Sequence, residues 1–377
     1  MNVPKLRFKE FNDEWIQKKI KDVANVIGGG TPSTDELKYW GNEINWFTPS
    51  EIGKTKYVAS SQRKITLSGL NNSSAKLLPE GTILLSSRAT VGEASILLEE
   101  ASTNQGFQSL VVNKSHNNEF IYYLKEKYKK EMLIKAFGST FLEISKSNVE
   151  NINIIIPTLN EQTKIANFLS LLDKKIELQT KKIEDLKLFK KGLITETKKD
   201  KSDWKEFYIK EIFKITRGVV IPKTELTDTK KDNNIYPVYS SQTSNDGILG
   251  YDKKYDFDGK YLTWTTDGAN AGSVFYRNGK FRCTNVCGVL YNESNNYINE
   301  MVAELLNLET PKYVSYVGNP KLMNNVMADI RIELPNLNIQ NKIATNLKLL
   351  NNKIVLENTR LDKLQQLKKG LMQNMFV

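Results

Sequence analysis

One stretch of sequence decides the fold of this chain because it occurs twice. Residues 152–194 read INIIIPTLNEQTKIANFLSLLDKKIELQTKKIEDLKLFKKGLI. Residues 330–372, which lie 178 positions later, read IRIELPNLNIQNKIATNLKLLNNKIVLENTRLDKLQQLKKGLM, and 20 of the 43 aligned positions are identical. Each copy opens with apolar residues at every second position, a pattern typical of a half-buried strand that ends at Pro157 or Pro335. The chain is therefore expected to contain a duplicated unit.

A long helix is predicted after the proline of each copy. From Ile165 and from Ile343, seam residues recur at alternating spacings of four and three over four heptads, with polar residues at Gln179 and Glu357. About 35 helical residues span roughly 50 Å, which is longer than a compact domain needs. We therefore expect the two helices to pair within the chain as an antiparallel coiled coil. Gln179 and Glu357 would then meet in one central polar layer that fixes the register.

Composition limits the class of protein. The chain has 377 residues, enough for two or three domains with full cores. No apolar run approaches the roughly 20 residues needed to span a bilayer, and no amino-terminal signal is evident, so a cytoplasmic protein is expected. The usual zinc ligand spacings cannot be built from one histidine and two cysteines, and Cys283 and Cys287 are interpreted as reduced thiols.

The charge balance is compatible with nucleic acid as a partner. The chain has 54 Lys+Arg and 43 Asp+Glu, which gives a net charge of +11. A polyanion rewards such a charge through the release of counterions. Many of the lysines lie on the predicted helices, however, where a solvated helix face is the simpler interpretation.

The predicted fold class is α/β of the α+β type, with a pseudo-twofold internal repeat. Residues 1–156 and 201–334 are predicted to be two mixed α/β globular domains, separated by helical spacers at 157–200 and 335–377. Trp15 and Trp204 open the two globular parts, and GTILLSSRATVGEAS of the first aligns with GKYLTWTTDGANAGS of the second. The helical parts are alike while the globular parts differ, so the function that varies between the halves is assigned to the globular parts.

Motifs for chemistry are missing from the sequence. The run Gly28-Gly29-Gly30 lacks the G-x-G-x-x-G form, and Gly53-Lys54-Thr55 lacks the first glycine of a P-loop. The single histidine, His116, gives no basis for a Ser-His or Cys-His pair. The chain is therefore predicted to be non-catalytic and to bind no cofactor itself.

Taken together, these features resemble the specificity subunit of type I restriction–modification systems. The resemblance rests on the paired segments PTLNEQ and PNLNIQ, the helices that end in KKGL, and the segments YPVYSSQ, DGILGY and DGANAG of the second half. It implies that each globular half is a target recognition domain for one part of a split double-stranded DNA sequence. It further implies two partner modification subunits that hold S-adenosylmethionine and methylate adenine, with restriction subunits joining to give a nuclease. Ile339 departs from the pattern because the first copy has Glu161 there, which leaves open whether both copies dock partners equally.

The residues expected to contact DNA are polar and basic side chains on loops. Arginine can pair bidentately with guanine, and lysine neutralises phosphate, although each position is as readily explained by loop solvation or turn capping. In the first half the candidates are Ser87, Arg88, Thr90 and Gln105, with Lys146 on phosphate. In the second half they are Arg217, Ser240, Ser241, Gln242, Asp267 and Asn270, with Lys321 on phosphate.

The target is expected to be asymmetric and bipartite, with the helix pair setting the gap between its halves. Two alternatives stay open at this point. One is the recognition part of a fused restriction–methylation enzyme, which would bind S-adenosylmethionine. The other is a DNA-independent coiled-coil adaptor, which would show no salt-dependent DNA binding.

Overall fold

The computed structural model describes residues 2–138, 142–198 and 203–377. The chain divides into two compact units: unit 1 comprises Met1–Leu178 with Leu361–Val377, and unit 2 comprises Gln179–Arg360. Each unit combines mixed α/β structure with parts of two long helices, which is the predicted fold class. The predicted boundary between residues 200 and 201 lies outside the described residues.

Unit 1 contains a five-stranded sheet of order β2-β10-β7-β8-β5, a four-stranded sheet of order β3-β6-β4-β9, and a two-stranded sheet, β1-β11. Its strands are β1 (Ile16–Lys19), β2 (Ala24–Gly28), β3 (Trp40–Gly41), β4 (Ile44–Phe47), β5 (Tyr57–Val58), β6 (Arg63–Ile65), β7 (Ile83–Leu85), β8 (Ala94–Leu97), β9 (Ala101–Thr103), β10 (Gln108–Val112) and β11 (Asn153–Ile156). Its helices are α1 (Ile20–Val23), α2 (Leu67–Asn71), α3 (Asn118–Tyr123), α4 (Lys125–Lys135) and α5 (Lys146–Glu150), and α6 (Leu159–Thr197) begins here.

Unit 2 contains a six-stranded sheet of order β13-β18-β16-β17-β14-β15 and a two-stranded sheet, β12-β19. Its strands are β12 (Lys205–Tyr208), β13 (Lys214–Arg217), β14 (Tyr236–Tyr239), β15 (Ile248–Asp252), β16 (Phe257–Thr265), β17 (Val274–Cys283), β18 (Cys287–Tyr291) and β19 (Arg331–Leu334). Its helices are α7 (Ile209–Ile212), α8 (Glu300–Glu309) and α9 (Asn324–Ala328), and α10 (Leu337–Asn374) begins here.

The strand predicted at the start of each repeat is present and closes its own globular domain. β11 pairs antiparallel with β1, so that Ile16 lies opposite Ile156, and β19 pairs antiparallel with β12, so that Lys205 lies opposite Leu334. The strand that leaves each domain is thus hydrogen-bonded to the strand that enters it. The proline that follows then leads into the long helix.

The long helices follow the predicted seam. α6 has 39 residues and α10 has 38, and both begin within three residues of the proline. Leu169 and Leu172 are buried in the core of unit 1, and Leu347 is buried in the core of unit 2. The apolar period of the sequence therefore marks the faces that the helices bury.

Within each unit the helices run antiparallel, as predicted. In unit 2 Gln179 lies beside Glu357, whereas Lys190, further along α6, lines a cavity with Asn351, which comes earlier in α10. In unit 1 the end of α10 returns to the domain from which α6 starts, where Phe376 packs 6.5 Å from Trp15 between ring centroids. No helix in the described part of the chain is long and apolar enough to cross a membrane.

Candidate nucleic-acid interface

In unit 1 the loop after β7 carries three of the predicted DNA contacts. Loop 1, residues 86–92, is closed by a hydrogen bond from the Gly92 N–H to the Ser86 carbonyl at 3.0 Å. Ala89 takes a left-handed conformation with φ of 58°. The hydroxyls of Ser86 and Thr90 lie 2.9 Å apart and form a hydrogen bond across the loop. Thr90 is nevertheless exposed to solvent.

A hairpin lies along loop 1. The name hairpin 1 is used for the described residues 137, 138, 142 and 143, in which Phe137 and Glu143 exchange two backbone hydrogen bonds of 2.9 Å. The Ala89 N–H donates to the Leu142 carbonyl at 3.2 Å, and the Ile144 N–H donates to the Ser87 carbonyl at 3.0 Å. Backbone hydrogen bonds therefore join loop 1 to the described residues that follow the gap at 139–141.

Arg88 is held by an ion pair between loop 1 and hairpin 1. Its guanidinium lies 2.8 Å from the Glu143 carboxylate, with 43% of the Arg88 side chain exposed. Its Nε is buried and has no hydrogen-bond partner among the described residues. Ser87, which precedes Arg88, is fully buried, and its hydroxyl has no hydrogen-bond partner in the described part of the chain, so its side chain does not reach the surface on which a DNA contact was expected.

The other two candidates of unit 1 are exposed but lie outside loop 1. The Gln105 side-chain carbonyl accepts a hydrogen bond from the Thr31 hydroxyl. Lys146 is the first residue of α5 and lies 3.6 Å from Glu150. Weak surface pairs of this kind leave the side chains free to exchange partners.

Unit 2 repeats the arrangement of loop 1 and hairpin 1. Loop 2, residues 265–272, is closed by a 2.8 Å hydrogen bond from the Gly272 N–H to the Thr265 carbonyl. Hairpin 2, residues 315–321, is closed by two 2.9 Å hydrogen bonds between Ser315 and Lys321. The Gly268 N–H donates to the Pro320 carbonyl at 3.0 Å, which corresponds to the bond between Ala89 and Leu142 in unit 1.

The charges at the equivalent positions are reversed. Asp267 on loop 2 stands where Arg88 stands on loop 1, and Lys321 on hairpin 2 stands where Glu143 stands on hairpin 1. Lys321 and Asp267 lie 3.8 Å apart, and Asp267 also accepts a 2.6 Å hydrogen bond from Thr266. The two units therefore present the same backbone with opposite charge on the central loop residue.

Asn270 and Lys321 are both exposed. The Asn270 carbonyl accepts a 2.9 Å hydrogen bond from the Ser273 hydroxyl, which fixes the end of loop 2. The phosphate candidates of the two halves, Lys146 and Lys321, occupy different places: Lys146 begins α5, whereas Lys321 belongs to the hairpin.

A further loop of unit 2 contains Ser240, Ser241 and Gln242. Loop 3, residues 240–247, is closed by a 3.1 Å bond from the Ser240 N–H to the Gly247 carbonyl. The Gln242 side-chain amide donates to the Ile248 carbonyl, so it holds the loop rather than projecting from it. Ser240 and Ser241 are half-buried, and the Ser240 hydroxyl bonds to that of Thr284 at 3.1 Å.

The start of each long helix is docked on its own domain by a buried glutamine. The Gln162 amide donates to the Pro157 carbonyl at 2.9 Å, and the Gln340 amide donates to the Pro335 carbonyl at 2.8 Å. Both glutamines are fully buried. Each also accepts a hydrogen bond from the domain, at 2.9 Å from the Asn117 N–H in unit 1 and at 3.1 Å from the Asn299 amide in unit 2.

The Glu161-to-Ile339 difference has an intramolecular explanation. Glu161 is 1% exposed and binds the Arg7 guanidinium through two hydrogen bonds of 2.8 and 2.7 Å. Arg7 lies in the segment that precedes Trp15, at the start of the first copy. Ile339 is 36% exposed in the second copy. Glu161 therefore binds the amino-terminal segment of the chain to the start of α6.

Gln179 and Glu357 are in contact. The Gln179 amide donates to the Glu357 carboxylate at 2.8 Å, and Lys182 and Arg360 lie 2.7 and 3.1 Å from that carboxylate. The hydrogen bond from Gln179, together with those from Lys182 and Arg360, lowers the pKa of Glu357 to about 2. That this layer fixes the register of the helices stays a prediction.

Comparison with known proteins identifies the family. The model of the type I restriction modification DNA specificity domain matches the chain twice, over residues 12–188 and 201–366. The chain belongs to this family. Its two matches coincide with the internal repeat found in the sequence, so the duplicated unit is one specificity domain with its helix.

Relatives and solved structures agree with this assignment. The MjaIX specificity subunit of Methanocaldococcus jannaschii is 40% identical over 190 residues, which cover 48% of this chain and 44% of that protein. The S.MpnORF201P specificity subunit of Mycoplasma pneumoniae is 39% identical over 199 residues, covering 51% of this chain and 80% of that protein. The match thus spans less than half of the M. jannaschii relative. The S subunit of a type I system from M. genitalium has the same fold, with a TM-score of 0.70, 18% identity, and coverage of 100% of this chain and 99% of that one.

One arginine of this specificity chain was missed by the sequence interpretation. Arg277 on β17 is 3% exposed, lies 2.7 Å from Asp246, and stacks 3.6 Å from the Tyr239 ring centroid. Asn245 and Asp246 have left-handed φ values of 48° and 52°. Arg277 therefore supports loop 3 from beneath. A charged residue within a strand-like run was the sequence pattern that could have indicated a buried structural role for Arg277.

Arg217 and the two cysteines lie nearby in the sheet of unit 2. Arg217 ends β13 and is half-buried, with its Nε unpaired among the described residues. The Sγ atoms of Cys283 and Cys287 lie 3.5 Å apart, and both residues are buried. Burial raises the pKa of the Cys283 thiol. The contact between these two thiols was not predicted from the sequence.

Proposed function

We propose that the two units of this specificity subunit read different half-sites of one asymmetric, bipartite DNA target. The reversed charge on one shared backbone carries the proposal. Arg88 on loop 1 offers donors that suit the O6 and N7 acceptors of guanine, whereas Asp267 on loop 2 offers acceptors that suit the N4 amine of cytosine. Two domains with one scaffold and opposite charges would select different bases.

The chemistry belongs, in this proposal, to partner subunits. Two modification subunits would hold S-adenosylmethionine and methylate adenine, and restriction subunits would cleave DNA, while this chain only recognises sequence. A repeated apolar face supports two copies of one partner. Leu171 and Leu178 on α6 are 72% and 55% exposed, and Leu349 and Leu356, at equivalent positions of α10, are 64% and 51% exposed. Leucines seven residues apart lie on one helix face, as partner-facing residues do.

Mapping of methylated adenines in cells that express this chain with its modification subunits tests the proposal. We expect one non-palindromic motif with a fixed gap. Arg88→Gln should relax one base position in one half-site, and Asp267→Asn should relax one in the other, at a cost of about 1–3 kcal/mol each. Lys210→Gln removes an exposed ion pair to Asp329 and serves as the matched control, with the motif unchanged. A palindromic motif would refute the proposal.

The division of labour is tested on the chain alone. We expect the isolated chain to bind no S-adenosylmethionine in equilibrium dialysis, and the complex with modification subunits to bind it. Stoichiometric binding by the isolated chain would favour a fragment of a fused enzyme. DNA binding by the complex should fall steeply with salt because phosphate contacts release counterions, and salt-independent behaviour would favour the adaptor.

A further inference from the structure

Hairpin 2 presents two large apolar side chains to solvent. Val317 is 92% exposed, the most of any large apolar residue in the described part of the chain, and Tyr316 is 69% exposed. The paired hydrogen bonds between Ser315 and Lys321 fix the base of the hairpin, and Gly318, with φ of 76°, makes its turn. The two side chains are therefore displayed on a braced hairpin.

The exposed pair lies beside the proposed base contact. The Pro320 carbonyl of the hairpin accepts a hydrogen bond from the Gly268 N–H of loop 2, and the Lys321 ammonium lies 3.8 Å from the Asp267 carboxylate. A DNA surface that meets Asp267 would therefore also meet hairpin 2. Lys321 has 51% of its side chain exposed and places a positive charge at that edge.

Unit 1 shows the same combination with other residues. In hairpin 1, Phe137 is 59% exposed and Leu142 is 43% exposed, next to the Arg88–Glu143 ion pair. Single exposed apolar residues are common on protein surfaces and need no explanation. Both hairpins therefore carry exposed apolar side chains beside the ion pair, although at different places: Phe137 corresponds to Ser315 and Leu142 to Pro320.

We propose that hairpin 2 is an apolar DNA contact, in which Tyr316 and Val317 pack against the bases of the half-site next to the base read by Asp267. This inference rests on the proposed function and deepens it. Apolar side chains recognise thymine methyl groups in the major groove, or the faces of partly unstacked bases. DNA is favoured over a protein partner because the hairpin is hydrogen-bonded to loop 2, which carries the proposed base contact Asp267, and because its exposed Lys321 suits phosphate.

The salt dependence of DNA binding separates this contact from a phosphate contact. The complex with modification subunits is titrated onto a fluorescent duplex that carries the mapped target, at a series of salt concentrations. The double variant Tyr316→Ser, Val317→Ser should lose roughly tenfold or more in affinity, with the slope of log K against log salt unchanged. Lys321→Gln should reduce that slope by about one.

Two further variants make the result interpretable. Ile16→Ser changes a residue that is 62% exposed on β1 of unit 1, and it should leave affinity and slope unchanged. Val317→Thr keeps the branched shape of the side chain but replaces one methyl group by a hydroxyl, so it should weaken binding less than the double variant. Unchanged thermal unfolding of each variant shows that its fold is intact.

Distinct results overturn the inference. Equal DNA affinity of the double variant and the wild-type complex would show that the exposure of hairpin 2 is incidental. Weakened recruitment of modification subunits with unchanged DNA affinity would assign the hairpin to a protein partner. A wild-type complex that binds target and non-target duplexes alike would overturn the proposed function together with this inference.

Discussion

The ion pair between Arg7 and Glu161 permits a sharp test of how the first long helix is anchored. Glu161 lies in the first turn of α6 and is 1% exposed, while the Arg7 side chain is 12% exposed and also donates to the Asp13 carbonyl. The second copy has Ile339 at the equivalent position. Glu161→Ile is therefore a natural control, because it gives the first copy the residue that the second copy has at the equivalent position.

Arg7→Met should differ strongly from Glu161→Ile and from the double variant that combines the two changes. Arg7→Met leaves a buried carboxylate without its partner and should cost about 3 kcal/mol locally. Glu161→Ile should cost only about 1 kcal/mol, because Arg7 can turn towards water and keep its bond to Asp13. The double variant should also cost about 1 kcal/mol, since replacing both charges by apolar groups is close to neutral. The coupling between the two sites is then about 3 kcal/mol.

Amide hydrogen exchange at the start of α6 measures these differences, because the opening free energy of a local segment sets its exchange rate. The equivalent segment at the start of α10 serves as the internal reference and should exchange at one rate in all three variants. If Arg7→Met and the double variant exchange equally fast at α6, the buried carboxylate is not destabilised by losing Arg7, and the reasoning fails.

Three other predictions concern charge and burial. Because the pKa of Glu357 is lowered to about 2, its contribution to stability is present above its unfolded pKa of about 4.3 and is lost as the pH falls towards about 2; urea unfolding over this range should show less pH dependence in Glu357→Gln. Cys283 and Cys287 are buried, so both should react slowly with a maleimide in the folded chain and rapidly in urea, and fast labelling of the folded chain would contradict their burial. Exchanging the charges of Arg88 and Glu143 restores an exposed pair worth below about 1 kcal/mol, so melting should be unchanged while the methylated motif changes in one half-site; a change in both half-sites would contradict independent reading.

The helices could be predicted from the sequence because their period is local. A spacing of four and three marks the buried face wherever the partner helix lies, and the antiparallel direction follows from the order of the elements. The contact between Gln179 and Glu357 could be predicted for the same reason, since both residues interrupt the apolar seam at its midpoint. The two strands before the helices could also be predicted, because alternation at period two is a property of a few adjacent residues.

The details of the candidate interface could not be predicted, because they depend on pairings between distant parts of the chain. Arg88 contacts Glu143 only because hairpin 1 lies along loop 1. The sequence around each residue contains no pattern that predicts this pair. Ser87 resembles a loop residue, yet it continues the buried strand β7 and is covered. Gln242 resembles a base contact, but its amide closes loop 3. Polar residue type alone does not distinguish a surface contact from a brace.

The two copies also show which changes the scaffold tolerates. Gln162 and Gln340 make the same hydrogen bond to the carbonyl of the preceding proline, and both are fully buried. Replacing either glutamine by an apolar residue would therefore leave a buried carbonyl without its hydrogen bond. Arg88 and Asp267 stand on equivalent backbone, yet they carry opposite charges and lie at the surface, where changing an ion pair costs little. In the proposed function, substitutions on the loops would alter what each unit recognises without disturbing the way its helix is docked. That separation is what a recognition subunit needs if one architecture is to acquire new targets.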